Sequence, residues 1–164
     1  MRVSTIILTI GIPGAGKTTW VQDYVSAHHA VHVVSSDEIR KELTGTVVCD
    51  PRQSPAIHDE ARRRVKDILD NPEKYGHTGC AGPVIIVDST NVELEEWIKY
   101  RDLHPTLFLA KIFDVTPAEA MARQAMRVEN RIVPQDVVEK KWKQLQENKK
   151  YIPFIFNMII DKAF

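Results

Sequence analysis

The sequence lacks three features that would fix its surroundings or its partners. No stretch approaches the ~18 consecutive apolar residues that a membrane-spanning helix requires. The chain has only two cysteines, Cys49 and Cys80, which are too few for a disulfide-rich secreted scaffold. No charge sign is in excess, since 22 Lys and Arg residues balance 22 Asp and Glu residues. These absences exclude a strongly basic nucleic-acid coat protein and a membrane role, and they favour a cytoplasmic location.

Length and hydrophobic content favour one folded domain over residues 1–164. A chain of 164 residues forms a single continuous core, and a hydrophobic fraction of 43% is too high for disorder. No secretory signal is expected, because a strand-like run without a small-residue cleavage site follows Arg2.

The balanced charges are unevenly distributed along the chain. Basic residues dominate two segments, the first with Arg52, Arg62, Arg63, Arg64 and Lys66 and the second with Lys140, Lys141, Lys143, Lys149 and Lys150. Each segment is either a solvated helix face or part of a groove for a polyanion. The sequence leaves both interpretations open.

Short apolar runs alternate with helical patterns from end to end. Strands are predicted over residues 5–10, 31–35, 84–87, 107–113 and 155–160. Helices are predicted over residues 17–28, 37–43, 56–69, 94–100, 117–128 and 134–148, with Thr116 capping the fifth. This alternation predicts an α/β fold with a doubly wound parallel five-stranded sheet. The turn-rich segment 71–83 is predicted to be an exposed insertion, in which His77 and Cys80 are not expected to bind a metal.

A phosphate-binding motif follows the first predicted strand. Residues 11–18 (GIPGAGKT) match G-x-x-x-x-G-K-[ST], with an apolar strand before them and a helix after them. Glycines let backbone N–H groups surround phosphate oxygens at a helix N-terminus. Lys17 is expected to reach the β- and γ-phosphates, and the Thr18 hydroxyl to ligate Mg²⁺. The predicted ATP-binding residues here are Gly11, Pro13, Gly14, Ala15, Gly16, Lys17, Thr18 and Thr19.

Nucleotide binding alone does not define an activity. A regulatory GTPase would carry Asn-Lys-x-Asp, but residues 148–151 read NKKY and lack the Asp. The chain is also short for a AAA-type ATPase. The remaining class is a small kinase, which passes the γ-phosphate of a nucleotide to an acceptor. Catalysis in such a kinase is mainly positioning and charge stabilisation.

Two carboxylates follow predicted strands, at the sheet edge where ligands of open α/β folds bind. Asp37 comes just after the second strand, with Arg40 on the same helix face, so an acid and a base could hold a hydroxyl and a neighbouring phosphate. Asp88 ends the third strand in the Walker B pattern, where it could orient the water shell of the metal or a partner arginine. Asp88, Thr90 and Asn91 are the candidate acceptor contacts here. Either aspartate could instead cap the next helix.

Three arginines recur every four residues before Pro134. Arg123, Arg127 and Arg131 would share one helix face, and their planar guanidinium groups suit bidentate contact with phosphate. Residues 124–132 are therefore predicted to form a helical, arginine-bearing lid over ATP. A surface ion pair with Glu119 is the alternative for Arg123.

These motifs, in this order, resemble the bacteriophage-type polynucleotide 5′-hydroxyl kinases of the P-loop kinase superfamily. The resemblance rests on the phosphate loop through Trp20, on Asp37-x-x-Arg40 and Asp88-x-Thr90-Asn91, on residues 113–115 (FDV), and on Arg123-x-x-x-Arg127 followed by Val133-Pro134. It spans nearly the whole chain. Some relatives have Asp directly before Thr-Asn, whereas Ser89 intervenes here.

The resemblance implies transfer of the ATP γ-phosphate, with Mg²⁺, to the 5′-OH end of RNA or DNA, as in nucleic acid repair. It implies Asp37 as the general base and Arg40 as a contact for the phosphate 3′ to the acceptor nucleoside. It also implies that Arg127 stabilises the transferring phosphoryl group and that Arg123 lies against the nucleotide. No phosphatase or ligase domain accompanies these motifs in the chain.

Two other functions fit the same scaffold. A small-molecule kinase would act on a nucleoside, a sugar or a nucleotide sugar, although nucleoside-monophosphate kinases usually have Gly-Thr after the loop lysine and Thr18-Thr19 stands here. A nucleotide-dependent binding module would bind ATP without transfer, which Asp37 and the three arginines disfavour.

Overall fold

The computed structural model describes residues 2–127 and 132–161, in which strands and helices alternate. The strands are β1 (Val3–Ile10), β2 (Val31–Ser35), β3 (Ala81–Asp88), β4 (Leu107–Ile112) and β5 (Met158–Ile159). The helices are α1 (Lys17–Ala27), α2 (Ser36–Thr44), α3 (Ser54–Asp70), α4 (Leu94–Arg101), α5 (Pro117–Gln124), α6 (Gln135–Asn148) and α7 (Ile152–Ile155). Short 3₁₀ turns occupy Pro51–Gln53, Pro72–Tyr75 and Lys149–Tyr151.

The five strands form one parallel sheet in the order β2-β3-β1-β4-β5, which confirms the predicted fold class. Strand β1 is central, and Ile6 is opposite Ile85 of β3 on one side and Phe108 of β4 on the other. Strands β3 and β4 flank β1 on opposite sides, so a crevice opens beyond its carboxyl end. Ligands of open α/β sheets bind at such a crevice.

Both faces of the sheet are covered, because side chains of a strand alternate between its faces. In β1, Ile6 and Leu8 face a large cluster that includes Trp97 and Tyr100 of α4. Ile7 faces the opposite side, where it packs with Trp20 of α1. The strands are consequently buried on both faces and rigid enough to position residues at their ends. Across the described ranges, no helix is both long and apolar enough to cross a membrane.

Two predicted elements end differently in the structure. Residues 155–160 were predicted as a strand, but Ile155 ends α7, and the strand beside β4 comprises Met158–Ile159. Pro153 suits the first turn of a helix, and Ile152 and Phe156 pack into the core around it. The helix predicted to reach Val128 ends at Gln124, and Val128 itself lies outside the described residues.

Segment 71–83 is not simply an exposed insertion. It contains a 3₁₀ turn, and its last residues already belong to β3. His77 is buried, with its Nε2 atom 2.7 Å from Nε2 of His32. Cys80 is exposed, as predicted for the segment as a whole.

Candidate active site

The phosphate loop is held between the end of β3 and helix α5. The Gly11 N–H donates to the Thr90 carbonyl at 3.0 Å, which joins the loop to the segment after β3. Gly14 has φ +87°, and a Cβ atom there would lie 2.6 Å from the Ala120 carbonyl oxygen of α5. Only glycine tolerates both the backbone conformation and the close approach. The loop is therefore closely packed against α5.

Lys17 is buried at the centre of this loop. Its Nζ donates to the carbonyl oxygens of Gly11 at 2.9 Å and of Ile12 at 2.8 Å. Burial lowers the pKa of the Lys17 amine to about 8, while the charge of Asp88 opposes this shift and that of Arg127 adds to it. A buried ammonium beside a ring of loop N–H groups favours an anionic ligand, which would offset the cost of its desolvation.

Asp88 lies at the carboxyl end of β3, next to Ser35 of β2 and close to the loop. Its Oδ2 accepts a hydrogen bond from the Thr18 hydroxyl at 3.1 Å. Burial raises the pKa of Asp88, against the Thr18 hydrogen bond and the Lys17 charge. The residue does not cap α4, because that helix begins six residues later at Leu94. A hydroxyl beside a carboxylate is the oxygen donor set that suits Mg²⁺, so Thr18 and Asp88 fit this ion, with Asp88 reaching it directly or through a water.

Asp37 and Arg40 form an ion pair on the first turns of α2. The Arg40 Nη1 donates to Asp37 Oδ1 at 2.5 Å. The Ser35 side chain caps α2 by accepting from the Glu38 N–H, so Asp37 is not required as the cap. The Asp37 side chain is 60% exposed and that of Arg40 only 10% exposed, and the Arg40 Nε has no hydrogen-bond partner among the described residues. This pair presents an open carboxylate next to an arginine that is incompletely bonded.

Of the three predicted arginines, Arg123 bonds to the phosphate loop. Arg123 Nη1 donates to the Ala15 carbonyl at 3.0 Å. The Glu119 carboxylate forms a capping box with Thr116, so the structure does not require it as a partner of Arg123. Arg127 is exposed, and its charge is close enough to Lys17 to lower the pKa of that amine. Arg131 and three other residues of the predicted lid, at positions 128–131 of 124–132, lie outside the described residues.

Asn91 belongs to the scaffold rather than to an open surface. Its side chain is 1% exposed, and its Nδ2 donates to the carbonyls of Thr9 at 2.9 Å and Val87 at 3.1 Å. The amide thereby fastens the end of β3 to β1. Thr90 is half-buried and meets the loop through its backbone. Of these two residues, which were predicted to contact the acceptor, only Thr90 retains an accessible side chain.

The first basic segment is an ion-paired helix face. All five of its basic residues have acidic partners, which are Asp50 for Arg52, Asp59 and Glu96 for Arg62, Glu60 for Arg63, Glu42 and Glu60 for Arg64, and Asp70 for Lys66. In the second segment Lys141 pairs with Glu93 and Lys149 with Asp114. The polyanion groove is therefore not supported at the first segment, where the solvated, ion-paired interpretation applies.

One buried side chain at the site was missed by sequence reasoning. Gln124 is 0% exposed, and it contacts the loop at Gly14 as well as the backbone of Val133. The sequence placed it at the start of the predicted lid, residues 124–132. The only signal was its spacing, four residues after Ala120 on the buried face of α5.

The comparisons with known proteins agree with this geometry. The AAA_33 family model, described as an AAA domain, matches residues 6–150. The chain belongs to this AAA domain family. The family name is that of the AAA-type proteins, against which the length of the chain had argued.

Three solved structures illustrate the fold. A chain of the Pnkp1/Rnl/Hen1 RNA repair complex is 22% identical, with a TM-score of 0.74 over 92% of this chain and 46% of that one. The present chain thus spans less than half of that protein. A gluconokinase from Sinorhizobium meliloti 1021 is 15% identical, with a TM-score of 0.58 over 100% and 86% of the two chains. A shikimate kinase from Acinetobacter baumannii is 13% identical, with a TM-score of 0.53 over 99% and 85%.

Proposed function

We propose that this chain is an ATP-dependent kinase that transfers the γ-phosphate of ATP to the 5′-hydroxyl end of RNA or DNA. The observation that carries the proposal is the Asp37–Arg40 pair, at the sheet edge that also holds the phosphate loop. The charge of Asp37 acts on both Lys17 and Asp88, so the pair lies close to the site for the transferred phosphate.

The donor half of the site would bind ATP through the loop N–H groups and Lys17, with Arg123 against the nucleotide and Arg127 near the γ-phosphate. Thr18 and Asp88 would hold Mg²⁺. When bound, this ion would neutralise charge on the β- and γ-phosphates. Arg131 is proposed to join these contacts from the segment beyond Arg127.

The acceptor half supplies the base. Asp37 takes the proton of the acceptor hydroxyl while the hydroxyl oxygen forms a bond to the γ-phosphorus. The bond from the γ-phosphorus to the oxygen that bridges it to the β-phosphate breaks, which releases ADP. Arg40 binds an anionic group near that hydroxyl through its guanidinium group, beside the exposed Asp37 carboxylate. In a polynucleotide this anion is the phosphate 3′ to the terminal nucleoside, and Thr90 lies at the same edge to contact the sugar.

The fold of the RNA repair complex chain supports this acceptor class, since it covers 92% of this chain. A small-molecule kinase is the second candidate. Arg40 suits a carboxylate as well as a phosphate, and gluconokinase and shikimate kinase share the fold. The ion pairing of Arg62, Arg63 and Arg64 also leaves no long basic groove on α3 for an extended strand.

A side-by-side transfer assay separates the two candidates. Labelled MgATP is offered with a 5′-OH oligonucleotide, a nucleoside 3′-monophosphate, a free nucleoside, gluconate and shikimate. The polynucleotide proposal predicts label on the first two and much less on the nucleoside. Arg40→Ala should raise KM for the 3′-phosphorylated acceptors about tenfold or more and leave that for the nucleoside nearly unchanged. Label only on a hydroxy acid would establish the small-molecule candidate instead.

A further inference from the structure

Gln124, the last residue of α5, is one of the few polar side chains that are completely buried in the described part of the chain. A long uncharged polar side chain is usually exposed, and its burial is costly unless its polar atoms are bonded. Its Oε1 accepts a hydrogen bond from the Val133 N–H at 2.8 Å. Its Nε2 lies 3.4 Å from the sulfur of Met121.

The hydrogen bond to Val133 connects two separated parts of the chain. Gln124 precedes the segment that carries Arg127, and Val133 is nine residues further along. The backbone carbonyl of Gln124 also accepts from the Arg127 N–H at 2.9 Å. One residue therefore bonds both to the backbone of Arg127 and to the chain where it returns to the core.

The same side chain touches the phosphate loop. A Cβ atom on Gly14 would lie 3.0 Å from Gln124 Cγ, so the loop packs directly on the stem of this side chain. Val133 in turn packs against the hydrophobic cluster that contains Ile12 and Ala15 of the loop. Arg123, the residue before Gln124, donates a hydrogen bond to the Ala15 carbonyl. The loop, the end of α5 and Val133 thus form one packed unit around Gln124.

We propose that Gln124 is a positioning residue that sets the location of Arg127 relative to the phosphate loop. It does so through its carbonyl bond to Arg127 and its side-chain bond to Val133, and it touches neither ATP nor the acceptor. The proposal rests on the proposed kinase function, because Arg127 is assigned there to the transferring phosphoryl group. An apolar side chain of equal size would fill the same space but leave the N–H of the half-buried Val133 without its protein acceptor.

The direct test measures the hydrogen bond between the Gln124 side chain and the Val133 N–H, here called the tether, without any enzymatic assay. Gln124→Met matches the size of glutamine and lacks the oxygen acceptor, and Gln124→Glu keeps an oxygen at the same reach. Hydrogen exchange at the Val133 amide should accelerate at least about tenfold in the methionine variant and return towards the parent rate in the glutamate variant. Unchanged exchange in Gln124→Met would overturn the tether, whichever substrate the protein uses.

A double-mutant cycle tests the link to Arg127. Gln124→Met should lower kcat about tenfold at saturating ATP, with KM for ATP changed less than about threefold. In an Arg127→Ala background the same substitution should lower kcat less than about twofold, since its effect passes through Arg127. Equal losses in both backgrounds would refute the positioning role. Gln22→Met, on the exposed face of α1, is the matched control and should leave both readouts unchanged.

Phosphate transfer to water serves as the readout in the cycle, so that an error in the acceptor class does not affect it. A parent protein that transfers phosphate to neither water nor any acceptor would refute the proposed function. In that case, accelerated hydrogen exchange at the Val133 amide would still establish the Gln124–Val133 hydrogen bond, but the bond would have no catalytic role.

Discussion

The affinity for ATP should fall as pH rises through about 8, because Lys17 loses its proton there in the free protein. Burial lowers the pKa of this amine, and a bound triphosphate would raise it again by stabilising the ammonium. The complex then holds more protons than the free protein above pH 8, so binding weakens with increasing pH. If the bound amine stays protonated, Kd grows by a factor of about 2 at pH 8 and about 11 at pH 9, relative to low pH.

Titration calorimetry with MgATP between pH 7 and 9.5 measures this dependence. Cys49 and Cys80 are exposed thiols, and a background with both replaced by serine leaves them out of the measurement. The charges around Lys17 supply two directional controls. Arg127→Ala should move the midpoint to higher pH, because the Arg127 charge lowers the pKa of Lys17, and Asp88→Asn should move it to lower pH. An affinity that is constant from pH 7 to 9.5 would refute the reasoning.

Two substitutions test the parts of the scaffold that shape the site. Asn91→Ala removes two buried hydrogen bonds and should lower the free energy of unfolding, measured in urea, by about 2–4 kcal/mol. The control Ser89→Ala should lower it by less than about 1 kcal/mol. Equally small effects of both substitutions would show that the Asn91 amide does not hold β3 to β1. Gly14→Ala combines a positive φ with a 2.6 Å approach to the Ala120 carbonyl, and should weaken ATP binding at least about tenfold in calorimetry. Gly79→Ala, which meets no atom within 4 Å, should bind ATP normally, and wild-type affinity in both variants would contradict the packing argument.

The backbone of the site could be predicted from local sequence patterns. The phosphate loop has a fixed spacing, and Asp37 and Asp88 follow apolar strands whose carboxyl ends meet at one sheet edge. The arginine spacing indicated Arg123, whose guanidinium lies on the loop. These features depend on residues that are near one another in the chain.

Side-chain partners distant in the chain could not be predicted in this way. Asn91 looked like a polar contact for a substrate, but its amide bonds to Thr9, more than eighty residues earlier. Gln124 looked like part of a lid, and the basic run at Arg62–Arg64 looked available for a polyanion until its acidic partners were seen. The last strand was overextended because the apolar run 155–160 fits a buried helix end as well as a strand.

The most direct test of the kinase chemistry compares transfer of the γ-phosphate by the parent protein and by Asp37→Asn, with a 5′-OH oligonucleotide and saturating MgATP. Asp37→Asn removes the proton acceptor and keeps the side-chain shape, so the rate should fall by about two to four orders of magnitude. The Kd for ATP, measured in parallel, should stay within about threefold of the parent value, because Asp37 is assigned to the acceptor half of the site. Transfer by Asp37→Asn at nearly the parent rate would contradict the assignment of Asp37 as the base.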